Sequence, residues 1–139
     1  DARLFETVEG SLALRAGMGE ALARANRLGI GKIRDRIRPL AEGLRDQLSE
    51  VIGVTVQDLG LSRSGLVSFT LEDWRAHDLR LALAEMQINV GANGIAYTPL
   101  DMQARGLDEI ARASVSYLNT EAEITRLVAA VHALARARS

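Results

Sequence analysis

The segment from Arg112 to Ile124, R-A-S-V-S-Y-L-N-T-E-A-E-I, limits the possible folds more than any other part of the chain. Extended from Ile110 to Tyr117 it alternates, with Arg112, Ser114 and Ser116 on one side and Ala111, Ala113, Val115 and Tyr117 on the other. One face of such a strand is polar and the other packs. Thr120 followed three residues later by Glu123 is a capping box, and Glu121 adds a negative charge to the first turn, where it suits the helix dipole. Ile124, Leu127, Val128, Val131, Leu134 and Ala135 then keep the 3.6-residue period of an amphipathic helix. The sequence therefore predicts a strand that presents one cation, anchored by a capped helix directly after it.

Earlier elements follow from the same rules. Leu14, Met18, Leu22, Ala25 and Leu28 form a stripe at helical spacing, with Gly29 and Gly31 as stop signals. Ile33, Ile37, Leu40, Leu44, Leu48 and Val51 make a second stripe across Pro39, whose ring removes one backbone hydrogen bond and predicts a kink or a break. Val54 to Gln57 and Leu66 to Leu71, separated by Gly60 and Ser62-Arg-Ser-Gly65, read as an antiparallel hairpin. Leu79, Ala82, Leu83 and Met86 suggest a third helix, with a short strand from Gln87 to Val90 after it. Each apolar stripe is expected in the core. The fold class is α+β: a two-layer small domain with helices packed on one face of a small, mostly antiparallel sheet. Residues 91–106 carry glycines and a proline without a clear period, and connections of that length are usually functional or disordered.

A chain of 139 residues can bury about two thirds of its surface, enough for a single domain spanning residues 1–139. With no cysteine, neither a disulfide nor a thiolate metal site is available. His77 and His132 fall on separate helices without a ligand pattern, so no metal is expected. Eighteen acidic residues balance seventeen basic ones, which argues against a nucleic-acid surface. Arg34, Arg36 and Arg38, interleaved with Asp35, read as a solvated helix face. No apolar run reaches the ~18 residues of a membrane span and no leader pattern opens the chain, so a cytoplasmic setting is the expectation.

R-x-S followed by Y-x-N-T-E-x-E-I, from Arg112 to Ile124, resembles the C-terminal signature of class V pyridoxal-phosphate enzymes, the aminotransferase and cysteine-desulfurase-like family. Arg3-Leu-Phe5-Glu6 resembles the opening of that family's small domain. Ile88-Asn89-Val90 with Leu100-Asp101-Met102 and Arg105-Gly106-Leu107 resembles its later part. The resemblance implies that Arg112 binds the α-carboxylate of an amino-acid substrate, which suits a bidentate guanidinium. It implies Ser114 as support for Arg112, weaker substrate contacts from Asn93 and Tyr97, and Thr7 toward the cofactor phosphate of a partner subunit. The family pattern R-A-S-x-H-Y-Y-N-T-E has a histidine and a tyrosine where this chain has Ser116 and Leu118, which leaves the substrate class open.

Pyridoxal-phosphate chemistry needs a lysine that bonds the cofactor and a carboxylate facing the pyridine nitrogen. The one lysine, Lys32, sits in a charged amphipathic helix start and reads as a surface residue. The resemblance thus implies a C-terminal small domain whose large cofactor-binding domain belongs to the same longer polypeptide. That enzyme is expected to be a homodimer, and the fragment alone inactive. Asp1 in place of an initiator methionine agrees. In the desulfurase branch a cysteine between Val90 and Leu107 takes sulfur from the substrate. Tyr97, Thr98 and Asn93 cannot form a persulfide, so transamination, epimerisation or C–S lysis is expected instead. From pattern alone, Arg112 would pair with Asp108 or Glu109, and the chain could equally be a free-standing α+β regulatory or interaction module.

Overall fold

The computed structural model of the protein describes residues 11–137. The chain divides into two compact units, one ending at Asp35 and the other beginning at Arg36. Helix α1, Leu12–Leu28, belongs to the first. Ser11 caps it, its hydroxyl accepting from the Leu14 N–H, and Gly29 ends it with a φ of 91°, a conformation that favours glycine. No residue of α1 is buried, and Leu14, Met18 and Leu22 of the expected core stripe are exposed. Helical periodicity reveals an apolar face but not what covers it.

Helix α2, Ile30–Ser49, resumes directly after Gly29 and runs through both Gly31 and Pro39, so neither the second stop nor the expected break occurs. Its second half buries Leu40, Ala41, Leu44 and Leu48, and that packing outweighs the bond lost at the proline. Arg36 is not simply solvated. It reaches Glu121 and the Asn119 carbonyl at the start of the last helix.

The hairpin of β1, Val54–Val56, and β2, Leu66–Leu71, follows as expected, and α3 spans Ala76–Glu85. The next strand is displaced. β3 is Gly91–Gly94 rather than residues 87–90, because Gln87 turns the chain at a φ of 59° and leaves residues 88–90 outside the ladder. What reads as a long irregular connection thus holds β3 and a short helix α4, Pro99–Arg105, closed by Gly106 in the left-handed region. β4, Glu109–Ser114, and α5, Glu121–Ala137, complete the order. The capping box forms: Thr120 N–H donates to Glu123 and Glu123 N–H donates to the Thr120 hydroxyl.

The four strands lie in the order β1-β2-β4-β3, every pair antiparallel. Val67, Phe69 and Leu71 of β2 and Ala111 and Ala113 of β4 turn to one face. There they meet Leu44 and Leu48 of α2, Leu79 and Leu83 of α3, and Ile124, Leu127 and Val131 of α5. The result is the expected α+β layering. Gly65 lies where the chain enters β2, and a Cβ there would collide with the Val115 carbonyl and with Ile37, so only glycine lets these segments approach. Leu44→Ala is expected to lower stability by about 2–5 kcal/mol, and Leu14→Ala, on the exposed stripe, to change it by less than about 0.5 kcal/mol. Urea midpoints of the two variants measure the contrast.

Candidate functional site

The second face of the sheet carries the polar residues. Register places Ser68 of β2 and Gly91 of β3 on either side of Arg112 in β4, and directly paired residues of an antiparallel sheet share a face. Arg112 is half-buried. Its Nε is buried with no hydrogen-bond partner, and no ion pair reaches its guanidinium among the described residues. Neither expected acidic neighbour takes it. Glu109 instead pairs with Arg75 at 3.0 Å and accepts from the His77 N–H, because neighbouring positions on a strand face opposite ways and Glu109 lies an odd number of residues from Arg112.

Gly91 lies against the guanidinium of Arg112 on the β3 side. A Cβ there would stand 3.4 Å from Arg112 Nη2 and 3.5 Å from Nε, with Asn93 Oδ1 also at 3.5 Å. The backbone at Gly91 does not require glycine, since its φ is not positive. An alanine there would therefore meet the guanidinium in ordinary van der Waals contact.

On the other flank lies a polar network that was not anticipated from the sequence. Arg45 of α2 is 3% exposed, although it shares a helix face with Ala41 and Leu48. Its Nε donates to Asp58 Oδ2 at 2.6 Å, and its Nη2 donates to the carbonyls of Ser64 and Leu66 at 2.8 and 2.9 Å. Asp58 Oδ1 accepts both the N–H of Ser68, at 2.9 Å, and its hydroxyl. β1 ends at Val56 and Gln57 N–H still reaches the Ser68 carbonyl, so the Asp58 side chain replaces the next rung of the ladder. Burial pushes the Asp58 carboxyl upward, but the Ser68 hydroxyl, the Ser68 N–H and Arg45 together outweigh it and hold its pKa below the ordinary 3.8. An arginine inside an apolar helical stripe is the signal that could have revealed this network, because a buried charge requires a partner.

The remaining anticipated residues do not converge on one cavity. Ser114 lies two positions beyond Arg112 on the same strand face and lines a groove of about 270 Å³ with Asn119 and Glu123, which Arg112 does not line. Asn93 and Tyr97 share a groove of about 710 Å³ with Arg75, His77 and Glu109 beside the β3 edge, again without Arg112. Tyr97 is 74% exposed. Asn119 and Thr120 organise the turn into α5, the Asn119 side chain accepting from the Ser116 N–H. Thr7 and the Arg3 to Glu6 segment lie outside the described residues. His77 and His132 are both exposed, and no group of three His, Cys, Asp or Glu side chains converges among the described residues. No helix among them is long and apolar enough to cross a membrane.

The family model for class V aminotransferases matches residues 8–127, most of the chain. The chain belongs to the class V aminotransferase family. Among curated relatives of this class V chain, a probable cysteine desulfurase of Halalkalibacterium halodurans is 33% identical over 123 residues, covering 88% of this chain and 30% of the relative. A probable cysteine desulfurase of Xylella fastidiosa is 29% identical over 127 residues, covering 91% and 30%. Among solved structures, the cysteine desulfurase CsdA of Escherichia coli superposes with a TM-score of 0.81 at 25% identity, covering 95% of this chain and 32% of that one. The cystine C–S lyase C-DES, solved in complex with its product cysteine persulfide, gives 0.63 at 25% identity, covering 81% and 27%. The class V chain thus spans about a third of the length of these relatives.

Because the folded-state pKa of Asp58 is depressed, its contribution to stability is complete above the unfolded value of 3.8 and is lost as pH falls through the lower folded value. Urea midpoints measured downward from about pH 5 should fall more steeply, below about pH 4, for the native chain than for Asp58→Asn, which has no proton to take up. Arg45→Ala, which strands Asp58 as a buried charge, should cost about 3–5 kcal/mol at neutral pH.

Proposed function

We propose that this chain is the C-terminal small domain of a pyridoxal-phosphate-dependent class V enzyme acting on an amino acid, and that Arg112 holds the substrate's α-carboxylate. The observation that carries the proposal is the half-buried guanidinium of Arg112, set on the polar face of the sheet and, among the described residues, without an acidic partner and with its Nε lacking an acceptor. A buried donor of this kind is costly until an anion meets it. A carboxylate takes two parallel N–H donors from one guanidinium, so its plane and the position of the attached carbon are set together. The rigid pairing of β4 on both sides supplies the aim, and α5, anchored by the Thr120–Glu123 box, holds the strand's end.

The described residues do not themselves make a cofactor cradle, since the one lysine, Lys32, is exposed on the first turn of α2. Pyridoxal phosphate supplies an electron sink for carbanion chemistry at the amino acid's α-carbon. The part proposed for this chain is substrate recognition, with the cofactor held by a large domain of the same polypeptide in a homodimer. The exposed stripe of Leu14, Met18 and Leu22 supports a larger assembly, because contiguous exposed apolar surface marks a face that another surface covers. The relatives named as cysteine desulfurases point to amino-acid substrates. The chain has no cysteine to receive sulfur, which directs the proposal to transamination, epimerisation or C–S lysis. The likeness to a cystine C–S lyase supports the last of these.

The carboxylate role can be measured without knowing the reaction. Aminooxyacetate and O-ethylhydroxylamine both condense with the cofactor's aldehyde, and only the first carries a carboxylate. In the cofactor-loaded full-length protein, Arg112→Ala should reduce the preference for aminooxyacetate by about tenfold or more, consistent with charge-assisted bonds of roughly 1.5–3 kcal/mol, and Arg112→Lys should restore part of it. An unchanged preference in Arg112→Ala would remove the assignment. The 139-residue chain expressed alone is expected to bind a hydrophobic dye and to self-associate, and Leu14→Ser with Met18→Ser should reduce both.

A further inference from the structure

We infer that Asn93 is a second contact for the substrate's α-carboxylate, its side-chain amide donating to the anion that Arg112 holds. The inference rests on the carboxylate-clamp role proposed for Arg112 and adds the residue that completes it. Gly91 is paired in register with Arg112, and Asn93 stands two positions further along β3, so Arg112, Gly91 and Asn93 share one face of the sheet. A Cβ on Gly91 would meet three atoms at nearly one distance: Arg112 Nη2 at 3.4 Å, Arg112 Nε at 3.5 Å and Asn93 Oδ1 at 3.5 Å. The guanidinium and the carboxamide are therefore neighbours above a single residue that has no side chain to separate them. Asn93 also borders the groove beside the β3 edge, which Arg112 does not line, so Asn93 belongs to both surroundings.

Neither group is committed elsewhere. Among the described residues Arg112 Nε has no acceptor, and no hydrogen bond holds the Asn93 carboxamide. A carboxamide carries an acceptor on one end and two donors on the other, and rotation about its last torsion exchanges them. With the clamp empty, Oδ1 turned toward the cation is the favourable setting. With a carboxylate present, the same torsion presents Nδ2. A carboxylate that accepts two parallel bonds from a guanidinium still has a free lone pair on each oxygen. The oxygen taken by Nη2 arrives on the Gly91 flank, beside Asn93, where the amide supplies a third donor. An aspartate in this position would do the opposite, since its charge would pair with Arg112 and fill the clamp. Neutrality lets one residue serve both states.

The test uses the cofactor-loaded full-length protein and its preference for aminooxyacetate over O-ethylhydroxylamine. Asn93→Ala should lower that preference about fivefold, the worth of one hydrogen bond. Asn93→Asp should lower it about tenfold or more, because the acid both occupies Arg112 and repels the reagent's carboxylate. The O-ethylhydroxylamine rate should stay unchanged in both variants, since Asn93 touches only the carboxylate. Equal losses with the two reagents would reveal a role in the scaffold of β3 and overturn the inference. If Arg112→Ala lowers the preference and Asn93→Ala does not, the contact by Asn93 fails and the clamp stands. If Arg112→Ala itself has no effect, the clamp reading fails and this inference goes with it. Asn93→Asp, which keeps the size and shape of the side chain, decides the matter should Asn93→Ala disturb β3: a preference left at the native level would overturn the assignment.

Discussion

Strand β4 is hydrogen-bonded to β2 on one side and β3 on the other, and this double pairing fixes the direction of every side chain along it. A strand has a side-chain period of two, so committing Ala111 and Ala113 to the core commits Arg112 to the opposite face. Register error of one residue would bury the arginine and expose the alanines. The aim of Arg112 is therefore a consequence of hydrophobic burial, and its specificity derives from the packing of α2, α3 and α5 against the other side of the sheet.

Among the described residues, two different devices leave Arg112 without an acidic partner. Of its acidic neighbours in sequence, Asp108 lies before the start of β4, and Glu109 is engaged with Arg75 and the start of α3. The residues paired with it in register are a glycine without a side chain and a serine whose hydroxyl donates to Asp58. Protein interiors usually pair their cations. Here the nearby charges, Arg45 with Asp58 and Arg75 with Glu109, pair with each other.

Much of the fold was legible because its elements are locally over-determined. The capping box at Thr120, the alternation around Arg112 and the helical stripe of α5 each arise from contacts within a few residues; the box and the stripe form, and the alternation holds to Ser114, where β4 ends short of the expected Tyr117. The elements between Gln87 and Gly106 were not legible. β3 has the sequence G-A-N-G, with no β-branched or aromatic residue, so it is a strand only because β4 offers a partner, and α4 spans seven residues, too short for a visible period. Pro39 misled for a related reason: its local penalty is fixed, but the burial of Leu40, Ala41, Leu44 and Leu48 around it is a tertiary gain.

By itself the sequence determined the family signature, the alternation that isolates Arg112 and the capped helix behind it, since those depend on side chains within one turn or one strand. Tertiary structure alone decided that Arg112 escapes Glu109, that Gly91 and Ser68 flank it, and that Arg45 and Asp58 meet across thirteen residues. Cross-strand register and a helix face turned onto a loop are set by the packing of the whole sheet, and no local pattern encodes them.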